Sequence, residues 1–180
     1  IQNSSFDGAR LNVITGLADL LNNNQTLATG VSFRGANFQN ISFANIKLVD
    51  KYNFTGAVFE GSGISFESAE FGAEAIFAQA QFNGEPFVPA FNNNDLFPAG
   101  AYYGAQKGLS FFNVRVNGTD FSNAIFRYVN LNNMQLIDIN LNRAIFIGCK
   151  IMSSLILGDL SCTNFSNCLI KGNLFSNNNL

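Results

Sequence analysis

Large apolar residues recur at every fifth position along most of the chain. In the C-terminal part the series runs unbroken from Phe121 to Ile156, and after one deleted position it resumes at Leu160 and continues to Leu180. A small or apolar residue stands two positions before most of these centres. The earlier centres are Phe33, Phe38, Phe43, Leu48, Phe54, Phe59, Phe66, Phe71, Phe77, Phe82 and Phe87. The spacing defines a repeat of five residues with two apolar positions in each unit.

This period fits neither an α-helix nor a straight strand. In a helix a five-residue step rotates by about 140°, which scatters the apolar positions around the cylinder. In a straight strand an odd step places successive centres on opposite faces. We therefore expect short strand pieces joined by corners that reset the facing. If each corner turns about a right angle, four repeats close one coil of about twenty residues, and coils stack at about the 4.8 Å strand spacing.

Stacked coils place residues about twenty positions apart above one another. The coils of the first half are longer, because extra residues enter near 49–53, 60–64 and 72–75. The expected interior columns are Phe126, Phe146 and Phe165; Leu131, Ile151 and Ile170; Leu136, Ile156 and Phe175; Phe33, Phe54 and Phe77; Phe38, Phe59 and Phe82; and Phe43, Phe66 and Phe87.

Several segments show the repeat clearly, among them those at 36–40, 119–123 and 163–167. Their order of small residue, Asp or Asn, Phe and two polar residues resembles the pentapeptide repeat family over about 31–87 and 109–180. The resemblance implies an all-β solenoid, a right-handed quadrilateral β-helix, and the handedness comes from the resemblance alone. The start of the chain, through Thr26-Leu27-Ala28-Thr29, is more weakly similar to the beginning of the β-helix domain of secreted bacterial effector ubiquitin ligases.

We interpret residues 1–180 as one domain whose ends need covering, because a solenoid exposes apolar side chains at an open end. Leu11, Ile14 and Leu17 recur at helical spacing, as do Leu20 and Leu21, and predict an N-terminal capping α-helix at 9–22. The repeats form a first block at 31–87 and a second at 109–180. The second block reaches Leu180 without a cap. We expect a second copy of the chain, in a homodimer through the C-terminal coil, or further sequence to cover that end.

Residues 88–108 interrupt the repeats. The only prolines, Pro86, Pro89 and Pro98, fall in or beside this segment and predict a loop. Phe91, Leu96 and Phe111 keep the five-residue phase, so a degenerate coil is the alternative. Exposed aromatic side chains on loops are frequent recognition residues. The candidate partner-binding residues are Phe97, Tyr102 and Tyr103, and their alternative role is packing against a coil corner.

The composition removes much enzyme chemistry. The chain has no His and three Cys, so His-based acid–base catalysis, Ser-His or Cys-His nucleophiles and zinc sites are not expected. No catalytic, cofactor-binding or metal-binding residues are predicted, and no cofactor. Cys149 and Cys168 occupy the same inward slot one coil apart. We interpret them as reduced, buried small residues, although their positions also suit a disulfide.

The charge is distributed unevenly around a net value of −2. Between Lys51 and Lys107 there are acidic residues and no basic ones, which predicts a candidate acidic surface unless these are ordinary solvated side chains. These residues are Glu60, Glu67, Glu70, Glu74, Glu85 and Asp95. The chain has no basic footprint and no apolar run that spans a bilayer, so neither direct nucleic-acid binding nor a membrane span is expected.

Two functions remain open at this stage. The first is a non-catalytic protein–protein interaction module, the recognition domain of a larger bacterial protein such as a secreted effector. The alternative, implied by the resemblance, is a DNA-mimicking topoisomerase (gyrase) inhibitor of the fluoroquinolone-resistance type. Arg127, Arg143 and Lys150 oppose the alternative, because a mimic of duplex phosphates needs dense negative charge. Localisation stays open between the bacterial cytoplasm and secretion into a host cell.

Overall fold

The chain folds as a parallel β-solenoid of about five turns. The computed structural model describes residues 4–12, 30–48, 51–61, 63–84, 109–172 and 174–176, and these residues contain no helix. Every strand pairs in parallel with the strand one coil before or after it. The predicted coil of stacked strand pieces is confirmed.

The strands are two to six residues long. They are β1 (Arg10–Asn12), β2 (Val31–Ser32), β3 (Asn37–Gln39), β4 (Lys47–Leu48), β5 (Tyr52–Asn53), β6 (Val58–Glu60), β7 (Glu70–Phe71), β8 (Ala75–Ile76), β9 (Gln81–Asn83), β10 (Arg115–Asn117), β11 (Ile125–Arg127), β12 (Gln135–Asn140), β13 (Ile145–Ile147), β14 (Lys150–Met152), β15 (Leu155–Asp159), β16 (Asn164–Ser166), β17 (Leu169–Lys171) and β18 (Leu174–Ser176).

The strands stack into four faces that the chain visits in turn. The first face contains β2, β5 and β8 and continues through isolated bridges such as Asp120 to Asn140. The second face contains β1, β3, β6, β9, β11, β13 and β16. The third consists of bridges from Ser42 to Lys150 together with β14 and β17. The fourth contains β4, β7, β10, β12, β15 and β18.

Tight turns at the corners explain the five-residue period. The amide of Ala124 donates to the carbonyl of Phe121 at 3.0 Å, and the intervening Asn123 has φ 56°. A hydrogen bond between residues three positions apart, with positive φ at the third of the four turn residues, is the geometry of a type II turn. Asn tolerates this left-handed conformation better than most residues, which accounts for its frequency at the corners. The asparagines with positive φ are Asn40, Asn45, Asn113, Asn123, Asn133 and Asn167.

The interior is filled by columns of stacked side chains. The ring of Phe146 lies 4.7 Å from that of Phe126 and 4.8 Å from that of Phe165, measured between centroids, and the rings are nearly parallel. Register pairs confirm the aliphatic columns, with Leu136 opposite Ile156 on the fourth face. The phenylalanine columns of the first half are likewise confirmed, with the exception of Phe87. They are Phe33, Phe54 and Phe77; Phe38, Phe59 and Phe82; and Phe43 and Phe66.

The expected capping helix at 9–22 is wrong where the structure describes it. Residues Arg10–Asn12 form β1, which pairs with β3 so that Leu11 lies opposite Phe38. Ladder hydrogen bonds and the interior column below Phe38 therefore determine the conformation of Leu11, and local helical spacing does not. The remainder of the predicted helix, residues 13–22, lies outside the described residues.

The column of Phe43 and Phe66 continues with Phe111, and not with Phe87 as the spacing predicted. The rings of Phe66 and Phe111 are 4.7 Å apart, and Ser65 bridges Ser110 in parallel. The fourth-face strand β7 pairs directly with β10, which places no further coil between them. Residues 85–108 therefore enter within one coil, between its second and third faces, and leave the register of the stack unchanged.

Candidate functional site

The interior is too full to hold a ligand in the part of the chain that the structure describes. A void of about 20 Å³ lies among apolar side chains that include Phe126, Leu131 and Ile151. That volume is about that of one water-sized probe, and its lining offers no polar partner. Functional contacts made by the described residues must therefore use the outer faces.

A groove of about 440 Å³ is open on the fourth face, across β7, β10 and β12. Glu70, Arg115 and Gln135 form an outward row in register along one side of it. The outward positions two residues further along these strands form the other side. They are Gly72, which has no side chain, and Asn117 on the following coil. The missing side chain leaves a depression about as large as a small ligand pocket.

Small and apolar residues complete this groove. Ala73 follows Gly72 along its floor, and the main-chain carbonyl of Gly72 accepts a hydrogen bond from the Thr119 hydroxyl at 2.9 Å. Ile137 lies on the far rim with 42% of its surface exposed. The groove therefore combines an apolar floor and rim with a polar row. We refer to this feature as the Gly72 groove.

Glu70 and Arg115 are the charged residues that line the Gly72 groove. Lys47 Nζ lies 3.1 Å from the Glu70 carboxylate, so these two form an ion pair. Arg115 is exposed, and its side chain makes no hydrogen bond or ion pair with any residue in the described ranges. Its guanidinium therefore keeps its hydrogen-bond donors for a ligand. Two exposed carboxylates, Glu74 and Asp138, follow the lining residues Ala73 and Ile137 in the chain.

The candidate acidic residues that the structure describes are spread around the coil. Glu60 is on the second face, Glu67 at the corner after Phe66, Glu70 on the fourth face and Glu74 at the next corner. Side-chain hydrogen bonds from Gln39 at 2.5 Å and Asn37 at 3.1 Å lower the pKa of Glu60. Glu70 is already paired with Lys47. These carboxylates do not form one row along a single face. Glu85 and Asp95 lie outside the described residues.

The candidate loop residues Phe97, Tyr102 and Tyr103 also lie outside the described residues, but both flanks of their segment are fixed. The amide of Gly84 donates to the carbonyl of Arg127 at 2.8 Å, and the carbonyl of Leu109 accepts from the amide of Asn130 at 3.1 Å. Both flanks are thus tied to the next coil. The segment starts and ends on the stack itself.

Sequence reasoning missed Phe112, which is 45% exposed at the corner next to this segment. The signal was available, because the equivalent corner positions on the other coils carry Ala44, Glu67, Asn132 and Met152, none of which is aromatic. An aromatic residue in that position departs from the repeat. Phe112 therefore extends the set of surface aromatics into the described residues.

The cysteines of the described residues are free thiols, in agreement with the interpretation that Cys149 and Cys168 are reduced. Cys149 is buried as expected, whereas Cys168 is only partly buried. Each thiol contacts a main-chain carbonyl of the neighbouring coil, Cys149 that of Phe126 and Cys168 that of Phe146. Their mutual hydrogen bond, together with burial, raises the pKa of Cys149, and the same bond lowers that of Cys168 to about 7.

The described parts of the chain contain neither a metal-binding cluster nor a membrane-spanning helix. No three acidic, Cys or His side chains there are grouped closely enough to hold a metal ion. No described helix is long and apolar enough to cross a bilayer.

The last coil that the structure describes presents apolar side chains to solvent. Leu169 is 37% exposed and Ile170 41% exposed on β17. On the preceding coil the equivalent residue of the column, Ile151, is 1% exposed. The difference arises because Ile151 is covered by the coil that follows it.

Residues 108–143 match the family model for pentapeptide repeats, in eight copies. This match includes β10, β11 and β12. The search of curated protein sequences found no match.

Solved structures of pentapeptide repeat proteins align with most of the chain at low identity. HetL, a pentapeptide repeat protein involved in heterocyst differentiation regulation from the cyanobacterium Nostoc sp. strain PCC 7120, is 16% identical, with 96% of this chain and 83% of HetL covered and a TM-score of 0.29. QnrB1, a plasmid-mediated fluoroquinolone resistance protein, is 16% identical over 97% of this chain and 92% of QnrB1, with a TM-score of 0.32. A protein of the Arabidopsis thaliana thylakoid lumen is 19% identical over 82% of this chain and 70% of its own, with a TM-score of 0.24.

Proposed function

We propose that this chain of pentapeptide repeats is a non-catalytic protein–protein interaction module. In this proposal residues 1–180 form one domain, a right-handed quadrilateral β-helix, that recognises a partner on behalf of a larger bacterial protein such as a secreted effector. The packed interior supports the proposal, because side chains such as Phe77 and Phe146 are buried and stack on rings of the neighbouring coils. The outer faces are then what a partner can contact.

The observation that carries the proposal is the insertion of residues 85–108 into a coil whose register continues undisturbed. The Phe66 and Phe111 rings stack across it at 4.7 Å. Because the described residues on either side of this segment pair in register, we infer that the segment serves recognition. Its aromatic residues Phe97, Tyr102 and Tyr103 are our candidate partner-binding residues, with Glu85 and Asp95 as acidic candidates in the same segment.

Deletion of residues 90–106 tests this proposal. We expect affinity purification with quantitative mass spectrometry to recover specific protein partners with the intact chain and to lose them with the deletion variant. The circular dichroism spectrum and thermal unfolding of the variant should match those of the intact chain. A second variant has Phe97, Tyr102 and Tyr103 changed to Ser. It retains the length of the segment and therefore tests the aromatic side chains alone. Partner recovery that is unchanged in both variants would overturn the role of the segment.

The gyrase-inhibitor alternative has weaker support. A DNA mimic needs a continuous negative face, but Glu60, Glu67 and Glu70 point to different sides of the coil, and Lys47 neutralises Glu70. We therefore expect micromolar protein to leave gyrase supercoiling unchanged, and we expect no band shift with duplex DNA. Inhibition of supercoiling at that concentration would favour the alternative.

We also propose a homodimer through the C-terminal coil. The support is the exposure of Leu169 and Ile170 on β17. Sedimentation equilibrium should give a dimer for the intact chain and a monomer for Ile170→Glu. Phe112→Glu, which places the same charge at another exposed apolar position, should remain dimeric. A monomeric intact chain would contradict the proposal.

A further inference from the structure

We propose that the Gly72 groove binds the carboxylate of an Asp or Glu side chain flanked by apolar residues in a protein partner. This inference rests on the proposed function, because it assigns a chemistry to one surface of the interaction module. It concerns a site apart from residues 85–108, built wholly from described residues of β7, β10 and β12 and the corner after β7.

The first argument is charge. Glu70 and Gln135 flank Arg115 in register, and Glu70 is the acidic group of the row. Its carboxylate is held 3.1 Å from Lys47 Nζ on the other side, away from Arg115. Arg115 therefore keeps its donors for a ligand, and the fork of its guanidinium matches a carboxylate in bidentate geometry.

The second argument is shape. The groove is open to solvent and has a volume of about 440 Å³, which is enough for a short stretch of side chains. Gly72 and Ala73 leave the floor open, and Ile137 offers an exposed apolar contact on the opposite rim. A carboxylate on Arg115 with an apolar neighbour over Gly72 satisfies both parts of the site.

The third argument concerns hydrogen bonding. The side chains of Asn117 and Gln135 make no hydrogen bond with any described residue, so their amides stand beside Arg115 with donors and acceptors unused. A peptide backbone that follows the carboxylate offers amide and carbonyl groups to both. One guanidinium with two neutral amides suits a peptide carrying a single carboxylate.

The test is a titration of the full isotope-labelled chain with short peptides. Binding is measured as changes in the backbone amide chemical shifts in ¹H–¹⁵N NMR spectra. The probe is an N-acetylated, C-amidated peptide with one Glu between Leu residues, and the comparison probe has Gln in place of Glu. The blocked ends remove the terminal charges, so binding reports the side-chain carboxylate. We expect saturable shifts centred on 70–73, 115–117 and 135–137 with the Glu peptide, and an affinity at least about tenfold lower with Gln.

Three variants locate the binding. Arg115→Glu should remove it, and Arg143→Glu, which reverses another exposed arginine away from the groove, should leave it unchanged. Gly72→Leu should block the floor; the backbone at Gly72 does not lie in the left-handed region, so a side chain fits its conformation. Binding that survives both Arg115→Glu and Gly72→Leu, equal affinity for the Glu and Gln peptides, or shifts confined to other faces would overturn the inference.

The peptide titration tests the Gly72 groove alone, so its result can be distinguished from that of the experiment with the deletion of residues 90–106. If the peptide does not bind but deletion of 90–106 still removes captured partners, the interaction module stands and the groove assignment fails. If neither peptide nor partner binds, both fail.

Discussion

At the scale of single residues, Phe146 shows how one interior ring packs against both neighbouring coils. It is 4% exposed and lies between Phe126 and Phe165 at nearly van der Waals separation. Phe146→Ala should lower the free energy of unfolding by about 3–5 kcal/mol, because the ring leaves a cavity that the neighbouring coils cannot close. Urea denaturation followed by circular dichroism measures the change.

The control for that experiment is Asn123, an exposed corner residue with φ 56°. Asn123→Gly should change stability by less than about 0.5 kcal/mol, because glycine adopts the same conformation without strain. Asn123→Val should cost about 1–2 kcal/mol, since a β-branched residue is poorly accommodated in the left-handed region. Losses at this corner as large as that of Phe146→Ala would contradict the assigned facing of the repeat.

Glu60 gives a prediction about pH. Its hydrogen bonds from Gln39 and Asn37 lower its pKa in the folded chain below the ordinary Glu value of about 4.3. The stabilisation is therefore present above about pH 4.3 and is lost as the pH falls through the folded pKa. At pH 7 Glu60→Gln should be less stable than the intact chain by under about 1 kcal/mol, given its partial exposure.

Urea midpoints of both chains at pH 7 and pH 3 test this directly. The difference between the intact chain and Glu60→Gln should be smaller at pH 3 than at pH 7, because Glu60 of the unfolded chain is then mostly protonated and its ionisation favours the folded state less. A difference that is the same at the two pH values would show that the hydrogen bonds do not depend on the carboxylate charge.

Gly84 is the last described residue before the insertion, and its lack of a side chain permits a close approach of two coils. A Cβ atom there would lie 2.4 Å from the main-chain carbonyl oxygen of Tyr128. Gly84→Ala should therefore destabilise the fold by about 1–3 kcal/mol, because backbone on the next coil must shift. Thermal unfolding measures the effect, and an unchanged midpoint would mean that the coils are not packed as closely here.

At the scale of elements, the sequence predicts the repeat well and its interruptions poorly. The period of five follows from the corner turns, each closed by a hydrogen bond such as that from Ala144 to Leu141, so it is a local property that a single sequence shows. The columns on either side of Phe146 follow from the same local rule. Only the stacking of coils, which is non-local, decides whether Leu11 belongs to a helix or to β1.

The insertion and the groove show the limit of pattern reasoning. Phe87 and Phe111 are both in phase with the repeat, and spacing alone favours the nearer one, whereas the stack uses Phe111. The Gly72 groove arises from one absent side chain beside an arginine forty-three positions later in the sequence, a juxtaposition that only the register of β7 and β10 creates. Neither feature has a local signature.

At the scale of the whole molecule, the solenoid separates support from recognition. The interior columns, in which rings such as Phe38 and Phe59 stack at 4.8 Å, fix the outer faces relative to one another. Surface features can then differ from coil to coil at little cost to the stack: an inserted segment between β9 and β10, a groove on the fourth face and apolar residues on the last described coil. This arrangement suits an interaction module with several independent contact sites.

The central claim is that the stack continues across residues 85–108 without a break. Selective labelling of phenylalanine rings and a nuclear Overhauser experiment measure it directly, because rings 4.7 Å apart give strong cross-peaks. We predict contacts between Phe66 and Phe111, retained when residues 90–106 are deleted. Contacts between Phe66 and Phe87 in place of Phe111 would contradict the account.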